Sequence, residues 1–125
     1  MPKLKNPTKT QHKKICDRLW SKAVRLRDGS CQKCGATNGL EAHHVICKSV
    51  SLLLRHDLRN GITLCHNCHK FGNESAHKNG LQFAKYFKRI RPDDYKFLMK
   101  WKYKTAPNYD YKLTEIALKE YIKNI

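Results

Sequence analysis

The sequence contains two matched pairs of cysteines, Cys31 with Cys34 and Cys65 with Cys68. Each C-x-x-C pair can place two thiolates on one metal ion from a single tight turn. Two such pairs complete a tetrahedral, all-sulfur site of the kind that zinc prefers. This kind of site has no open position for a substrate, and its metal contributes to the free energy of folding. We therefore expect a structural zinc ion that joins two segments distant in the sequence.

Metal binding suits these cysteines better than disulfide formation. The N-terminal segment is polar and basic and lacks the apolar stretch of a secretory signal, so we expect the protein in a reducing cytosol, where paired thiols bind metal. A redox role would suit one C-x-x-C pair but not both. Of the two remaining cysteines, Cys16 is expected to be a small buried residue on the first helix, and Cys47 has no assigned role.

The chain is strongly basic, with 26 Lys and Arg against 10 Asp and Glu and a formal net charge of +16. A compact domain with this charge repels itself unless a polyanion binds to it. Nucleic acid is the expected partner, because neutralising phosphates releases counterions. The alternative is a solvated basic surface without a partner. No segment is apolar and long enough to span a bilayer, so we expect no membrane partner.

The 125 residues suit a single domain in which short strands lie between helices. Residues 1–11 are expected to form a flexible basic arm, followed by a helix over about 12–27 with one apolar stripe: Ile15, Leu19, Ala23 and Leu26. Residues 40–46 and 61–65 have the length and composition of strands, and a helical turn follows the second. Helices are expected over 81–90, from Pro92, and near the C-terminus with a second apolar stripe: Leu113, Ile116, Ala117 and Tyr121.

Two histidines, His43 and His44, are adjacent on the first predicted strand. The cysteine pairs would place the start of this strand beside the end of the second, so that Asn60 lies at the other end of the enclosed loop. Neighbouring side chains of a strand point to opposite faces. Either one of the two imidazoles is therefore incidental, or the two have different tasks.

Four stretches together resemble the HNH endonucleases of the ββα-metal type, especially small phage-like members with a four-cysteine zinc scaffold. They are "CQKCG", "LEAHHVI", "LRNGITLCHNCHK" and "AHKN", and the resemblance covers about residues 16–90. It implies a small α+β fold, with a zinc-stapled nuclease domain at 12–90. The C-terminal third lies outside the shared motifs, and we expect residues 91–125 to form a C-terminal helical extension. The resemblance also implies a place in the cytoplasm of a bacterial or phage-infected cell.

The resemblance assigns roles to individual residues of the motif. His43 matches a ligand of the catalytic metal, and His44 matches the general base. Asn60 matches the residue that holds the loop and orients the base, and His69 matches a second metal ligand. These roles imply a catalytic divalent metal, namely Mg²⁺, Mn²⁺ or Zn²⁺, in addition to the structural Zn²⁺.

The third ligand of the catalytic metal has two candidates. Asn73 stands where some members of the family have a histidine, one helical turn after His69. His77 lies further along, and we favour it because "AHKNGLQF" leads into a helix, as the final histidine segment of the family often does. Arg55 and Arg59 flank the motif and are either bidentate phosphate contacts or ordinary basic residues of the loop surface.

Two functions fit this pattern. The first is a metal-dependent DNA endonuclease, for which RNA stays open as a substrate because the chemistry is the same. The second is a non-catalytic, zinc-stapled module that binds nucleic acid. Both explain the charge and the cysteines, but only a nuclease requires a base next to a metal ligand, and we therefore favour it. The sequence indicates no oligomeric state.

Overall fold

The computed structural model describes residues 6–73 and 75–125, which form an α+β fold as predicted. The elements are α1 (Lys9–Asp28), β1 (Leu40–His44), α2 (Leu52–Arg55), a 3-10 turn (Leu58–Asn60), β2 (Gly61–Cys65), a π-helical turn (Asn67–Phe71), α3 (Gly80–Ile90), α4 (Pro92–Trp101) and α5 (Tyr111–Lys123). The N-terminal helix, the two strands and the C-terminal helices of the prediction are all present.

Helix α1 begins at Lys9 rather than at His12. The side chain of Thr8 accepts a hydrogen bond from the backbone of Gln11, whose side chain accepts one from the backbone of Thr8, and this capping box defines the start. Residues 9–11 of the predicted flexible arm are therefore helical, and residues 1–5 of that arm lie outside the described residues. The helix ends at Gly29, whose φ of 74° is a left-handed conformation that favours glycine.

Strands β1 and β2 pair antiparallel, with Leu40 opposite Cys65 and His44 opposite Gly61. β1 ends at His44, earlier than predicted, because Asn60 takes over the next hydrogen bonds. The amide of Val45 donates to the Asn60 carbonyl at 3.0 Å, and the amide of Ile46 donates to the Asn60 side chain at 2.7 Å. The chain therefore leaves the sheet directly after the two histidines.

The hydrophobic core has two parts, one on each side of the sheet. The first lies between the sheet, α3 and α4, and its largest fully buried side chains are Leu54, Ile62, Leu64, Phe87 and Leu98. The second joins α1 to α5 through Trp20, Ala23, Val24 and Leu118. Residues 91–125 thus contribute a buried side chain to each part, and α5 packs directly along α1.

The buried faces of α1 and α5 include only part of the predicted stripes: Ala23 is buried, and Leu19 and Tyr121 pack against the core. Trp20 and Val24 are buried on α1, whereas Leu26 is 47% exposed; on α5, Leu118 is buried, whereas Leu113 and Ile116 are more than half exposed. On α1, the reason is a close approach to β2 at Gly61, where a Cβ atom would lie 2.4 Å from Val24 Cγ2 and 2.8 Å from Trp20. Contact with this glycine selects the Trp20 face of the helix. Cys16 is fully buried, as expected.

Candidate active site and metal centres

The four paired cysteines converge on one point. One Sγ atom from each of Cys31, Cys34, Cys65 and Cys68 lies within 4.8 Å of the others, and the sulfurs of Cys34 and Cys65 are 3.7 Å apart. A tetrahedral ion with zinc–sulfur bonds of about 2.3 Å would hold its sulfurs about 3.8 Å apart. The cluster is therefore shaped to hold a structural metal.

The environment of Cys31 favours its thiolate form. Burial alone would raise the pKa of this thiol, but hydrogen bonds from the backbone amides of Cys34, Cys65 and Lys33 lower the pKa to about 6. Burial and the neighbouring sulfurs raise the pKa of Cys68 instead. Four thiolates this close together repel one another unless a cation binds between them. A structural metal at this position would therefore stabilise the fold.

A second cluster consists of three histidines from three different segments. His43 lies on β1, His69 lies on the π-helical turn, and His77 lies in the turn before α3. One ring nitrogen of each lies within 4.8 Å of the others, and the Nε2 atoms of His69 and His77 are 2.9 Å apart. Burial, helped by the charges of the other histidines, lowers the pKa of His43 to about 3. The ring of His43 is therefore neutral at pH 7, the form that binds a metal ion.

Glu41 fixes the proton of His69 on the nitrogen that faces away from the cluster. His69 Nδ1 donates to a Glu41 carboxylate oxygen at 3.2 Å, and His66 Nδ1 lies 3.0 Å from the same oxygen. Burial would raise the pKa of Glu41, but these hydrogen bonds hold it below its usual range. Nε2 of His69 then carries a lone pair directed at His77, and the donor set fits a divalent cation.

His44 lies on the opposite face of β1 and contacts α1 instead of the histidine cluster. Its ring stacks on Trp20, with 3.7 Å between ring centroids and 11° between ring planes. Its Nε2 donates to the backbone carbonyl of Arg55 at 2.8 Å. Burial lowers the pKa of His44 to about 4, although the Arg55 carbonyl opposes the shift. The ring is therefore neutral at pH 7, with its proton on Nε2 and a lone pair on Nδ1.

Asn60 is fully buried and holds the loop that leads to Arg55. Its side chain accepts a hydrogen bond from the amide of Ile46 and donates to the carbonyls of Ile46 and Leu54 at 3.0 and 3.1 Å. Within the part of the chain that the structure describes, these bonds all go to backbone groups and none to His44. Any influence of Asn60 on His44 therefore passes through the loop.

The guanidinium groups of both predicted phosphate contacts are already paired. Arg55 forms a bidentate pair with Asp17 at 2.8 and 2.7 Å. Arg59 pairs with Asp57 and lies 3.4 Å above the ring of Phe97. The guanidinium groups that were predicted to bind phosphate thus bind carboxylates instead.

Other basic residues line the cleft beside the histidines. A cavity of about 400 Å³ is lined by His43, His44, His69 and His77 together with Cys47, Lys48, Ser49 and Lys70. Both lysines are exposed. Neither lysine was predicted as a site residue from the sequence, although Lys70 directly follows His69. Asn73 lines a different cavity, next to Cys68, so the fold brings His77 and not Asn73 to the cluster.

Comparison with known proteins identifies one family. Residues 31–73 match the family model described as HNH endonuclease, a segment that includes both cysteine pairs. No curated protein and no solved structure matches the chain at a significant level. None of the helices within residues 6–73 and 75–125 is long and apolar enough to cross a membrane. Over residues 31–73, the chain is therefore similar to the HNH endonucleases.

Proposed function

We propose that this protein is a metal-dependent DNA endonuclease that hydrolyses phosphodiester bonds. The observation that carries the proposal is the state of His44, a neutral imidazole on the wall of the cleft with its Nε2 proton held by a backbone carbonyl. A base of this kind beside a cluster of three histidine ligands is what hydrolysis by an activated water requires. The family match and the basic charge support nucleic acid as the substrate.

In the proposed mechanism, the residues on the two faces of β1 have different roles. His44 accepts a proton from the attacking water at Nδ1, while the Arg55 carbonyl keeps the other proton of the ring on Nε2. His43, His69 and His77 would hold a divalent cation (Mg²⁺, Mn²⁺ or Zn²⁺), and Glu41 keeps His69 in the ligating tautomer. The bound cation supplies Lewis-acid stabilisation of the phosphate and of the leaving oxygen. Zn²⁺ is proposed for the four cysteines, where the geometry fits it.

The proposal is tested by nicking of a supercoiled plasmid in Mg²⁺, Mn²⁺ or Zn²⁺, with EDTA as the control. Cleavage that EDTA abolishes would support a metal-dependent nuclease. No cleavage with any of the three metals, together with retained DNA binding, would favour the non-catalytic zinc-stapled module. A single-stranded RNA of matched length tests the substrate class in the same assay.

The pH dependence of cleavage is expected to lack an acidic limb near pH 6.5, the usual pKa of histidine. The base acts in its deprotonated form, and a pKa lowered to about 4 keeps His44 in that form as the pH falls. A cation held next to it would lower the pKa further. Single-turnover nicking at saturating Mg²⁺ should therefore vary little between pH 8 and pH 5.5. A loss of half the rate near pH 6.5 would contradict the assignment.

We propose that Lys48 and Lys70, rather than Arg55 and Arg59, contact the phosphates of the substrate. Besides burial, the charge of Lys48 helps to lower the pKa of His44, and the charge of Lys70 has the same effect on His69. Each ammonium group thus lies close to one side of the histidine cleft. A phosphate bound over the cleft would meet a positive charge on either side.

Replacing Lys48 or Lys70 by Gln should weaken DNA binding and reduce its salt dependence. Each neutralised phosphate contributes about 0.9 to the slope of log K against log salt, so each variant should lower the slope by about 1. Binding is measured by fluorescence anisotropy in EDTA, where no cleavage occurs. Arg59→Gln is the control. A change of slope in this variant alone would show that Arg59, and not the two lysines, contacts the phosphate.

A further inference from the structure

A charged network centred on Asp17 connects helix α1 to Arg55, the last residue of α2, and to the loop that follows it. The guanidinium of Arg55 donates to both carboxylate oxygens of Asp17, through Nε at 2.8 Å and Nη2 at 2.7 Å. His56 Nε2 lies 2.7 Å from one of the same oxygens. The side chain of His56 is fully buried, and those of Arg55 and Asp17 are 16% and 26% exposed. This is a largely buried pair with good geometry, which holds its partners more firmly than a surface pair does.

The carboxylate of Asp17 is charged under all ordinary conditions. Burial would raise its pKa, but hydrogen bonds from Arg55 and His56 and their nearby charges lower the pKa to about 2. Two consecutive residues of the loop, Arg55 and His56, thus share one anionic anchor on α1.

The peptide held by this anchor is the one that contacts His44. The backbone carbonyl of Arg55 accepts the Nε2 proton of His44 at 2.8 Å. The next turn of α1 adds Trp20, which stacks on the ring of His44 and donates from Nε1 to the carbonyl of Asp57 at 2.9 Å. α1 therefore holds the loop on both sides of the Arg55 carbonyl and covers one face of the imidazole.

We propose that Asp17 is a positioning residue for the general base, a role that rests on the proposed nuclease function. Its carboxylate fixes Arg55 and His56, and through them the carbonyl that keeps His44 in the Nε2–H tautomer. Without this anchor the carbonyl is free to move, and the imidazole distributes between its two tautomers. The Nδ1–H tautomer has its lone pair on the wrong nitrogen and cannot take a proton from the water at Nδ1.

The competing explanation is that Asp17 and Arg55 form an ion pair that only stabilises the fold. Asp94 provides a control of the same type, because its Oδ2 accepts from both the Nε and the Nη2 atoms of one arginine, Arg91, at 2.8 and 2.7 Å. Its side chain is 29% exposed, close to the exposure of Asp17. Arg91 in turn bonds backbone carbonyls of Arg59 and Gly61 and not that of Arg55. Loss of the Asp94 carboxylate should therefore cost stability without freeing the Arg55 carbonyl.

The experiment compares Asp17→Asn with Asp94→Asn in the full chain with zinc bound. For Asp17→Asn we expect kcat for plasmid nicking to fall about 10- to 100-fold, the range for residues that orient a functional histidine. KM for DNA and the calorimetric affinity for the catalytic metal should not change. Asp17→Glu should recover part of the loss, and Asp94→Asn should match the wild type in kcat.

The second readout is the tautomer of His44, measured at pH 7.5 by long-range ¹H–¹⁵N correlation without added catalytic metal. The wild type should show Nε2–H alone, and Asp17→Asn should show a mixture. If Asp17→Asn does not fold, Arg55→Lys takes its place. This variant keeps the positive charge but loses the bidentate guanidinium, so it should show the same mixture of His44 tautomers. Full kcat and an unchanged tautomer in the variants would overturn the proposal. If the wild type does not nick, the nuclease function fails, while the tautomer still decides whether Asp17 positions His44.

Discussion

Replacement of His44 by Ala is expected to abolish DNA cleavage while both metal sites remain filled. General bases contribute about 10²- to 10⁴-fold to the rate, so nicking should fall to the lower limit of the assay. The metal sites should persist because the ring of His44 stacks on Trp20 and bonds the Arg55 carbonyl. The histidine cluster contains His43, His69 and His77 and does not include His44. Single-turnover nicking measures the first effect, and calorimetric titration with Mn²⁺ measures the second.

His43→Ala is the matched control, because it removes the neighbouring imidazole on the other face of the same strand. His43 belongs to the three-histidine cluster, so this variant should lose the catalytic metal and cleavage together. The pair of variants therefore separates a base from a ligand at adjacent positions. Loss of the catalytic metal in His44→Ala, with cleavage retained, would show that the assignment is reversed.

The sequence predicted those parts of the site that depend on spacing. The two C-x-x-C pairs predicted the cluster that Cys31, Cys34, Cys65 and Cys68 form. The adjacency of His43 and His44 predicted that they face opposite sides, because a strand alternates its side chains. Glu41 could have been found by the same rule, since it lies two residues before His43 on the same face of β1 and reaches the same cluster.

The face by which α1 packs could not be predicted from its own residues. The apolar periodicity favoured a stripe that includes Leu26, whereas the buried face contains Trp20. The choice depends on contact with Gly61 of β2, a residue far along the chain. The stacking of Trp20 on His44 was missed for the same reason.

The hydrogen-bond partners of Asn60 and His44 were missed because they are backbone groups. The side chain of Asn60 bonds carbonyls of the loop, and the group that orients His44 is the carbonyl of Arg55. Every residue has a carbonyl, so no residue type marks the one that a histidine will use. The positive charge of Arg55 suggested a phosphate, but only the fold shows that Asp17 is its partner.

Replacement of Cys68 by Ser is expected to unfold the domain through loss of its structural metal. Structural zinc ions contribute about 10–16 kcal/mol in small domains, against a total stability of about 5–15 kcal/mol. The four cysteines join the turn after α1 to the end of β2, and a serine supplies no thiolate to complete the site. The variant should bind no zinc by native mass spectrometry and should show no cooperative thermal transition by circular dichroism.

Cys47→Ser is the control, because Cys47 is exposed and lies outside the four-cysteine cluster. It should bind as much zinc as the wild type and unfold at the wild-type temperature. The position of Cys68 makes the prediction more specific, since the next residue, His69, belongs to the histidine cluster. Zinc removal should thus eliminate binding of the catalytic metal as well, whereas EDTA at a concentration that strips only the weaker site should leave the fold intact. A folded Cys68→Ser protein with wild-type thermal stability would show that the cysteine cluster does not hold the domain together.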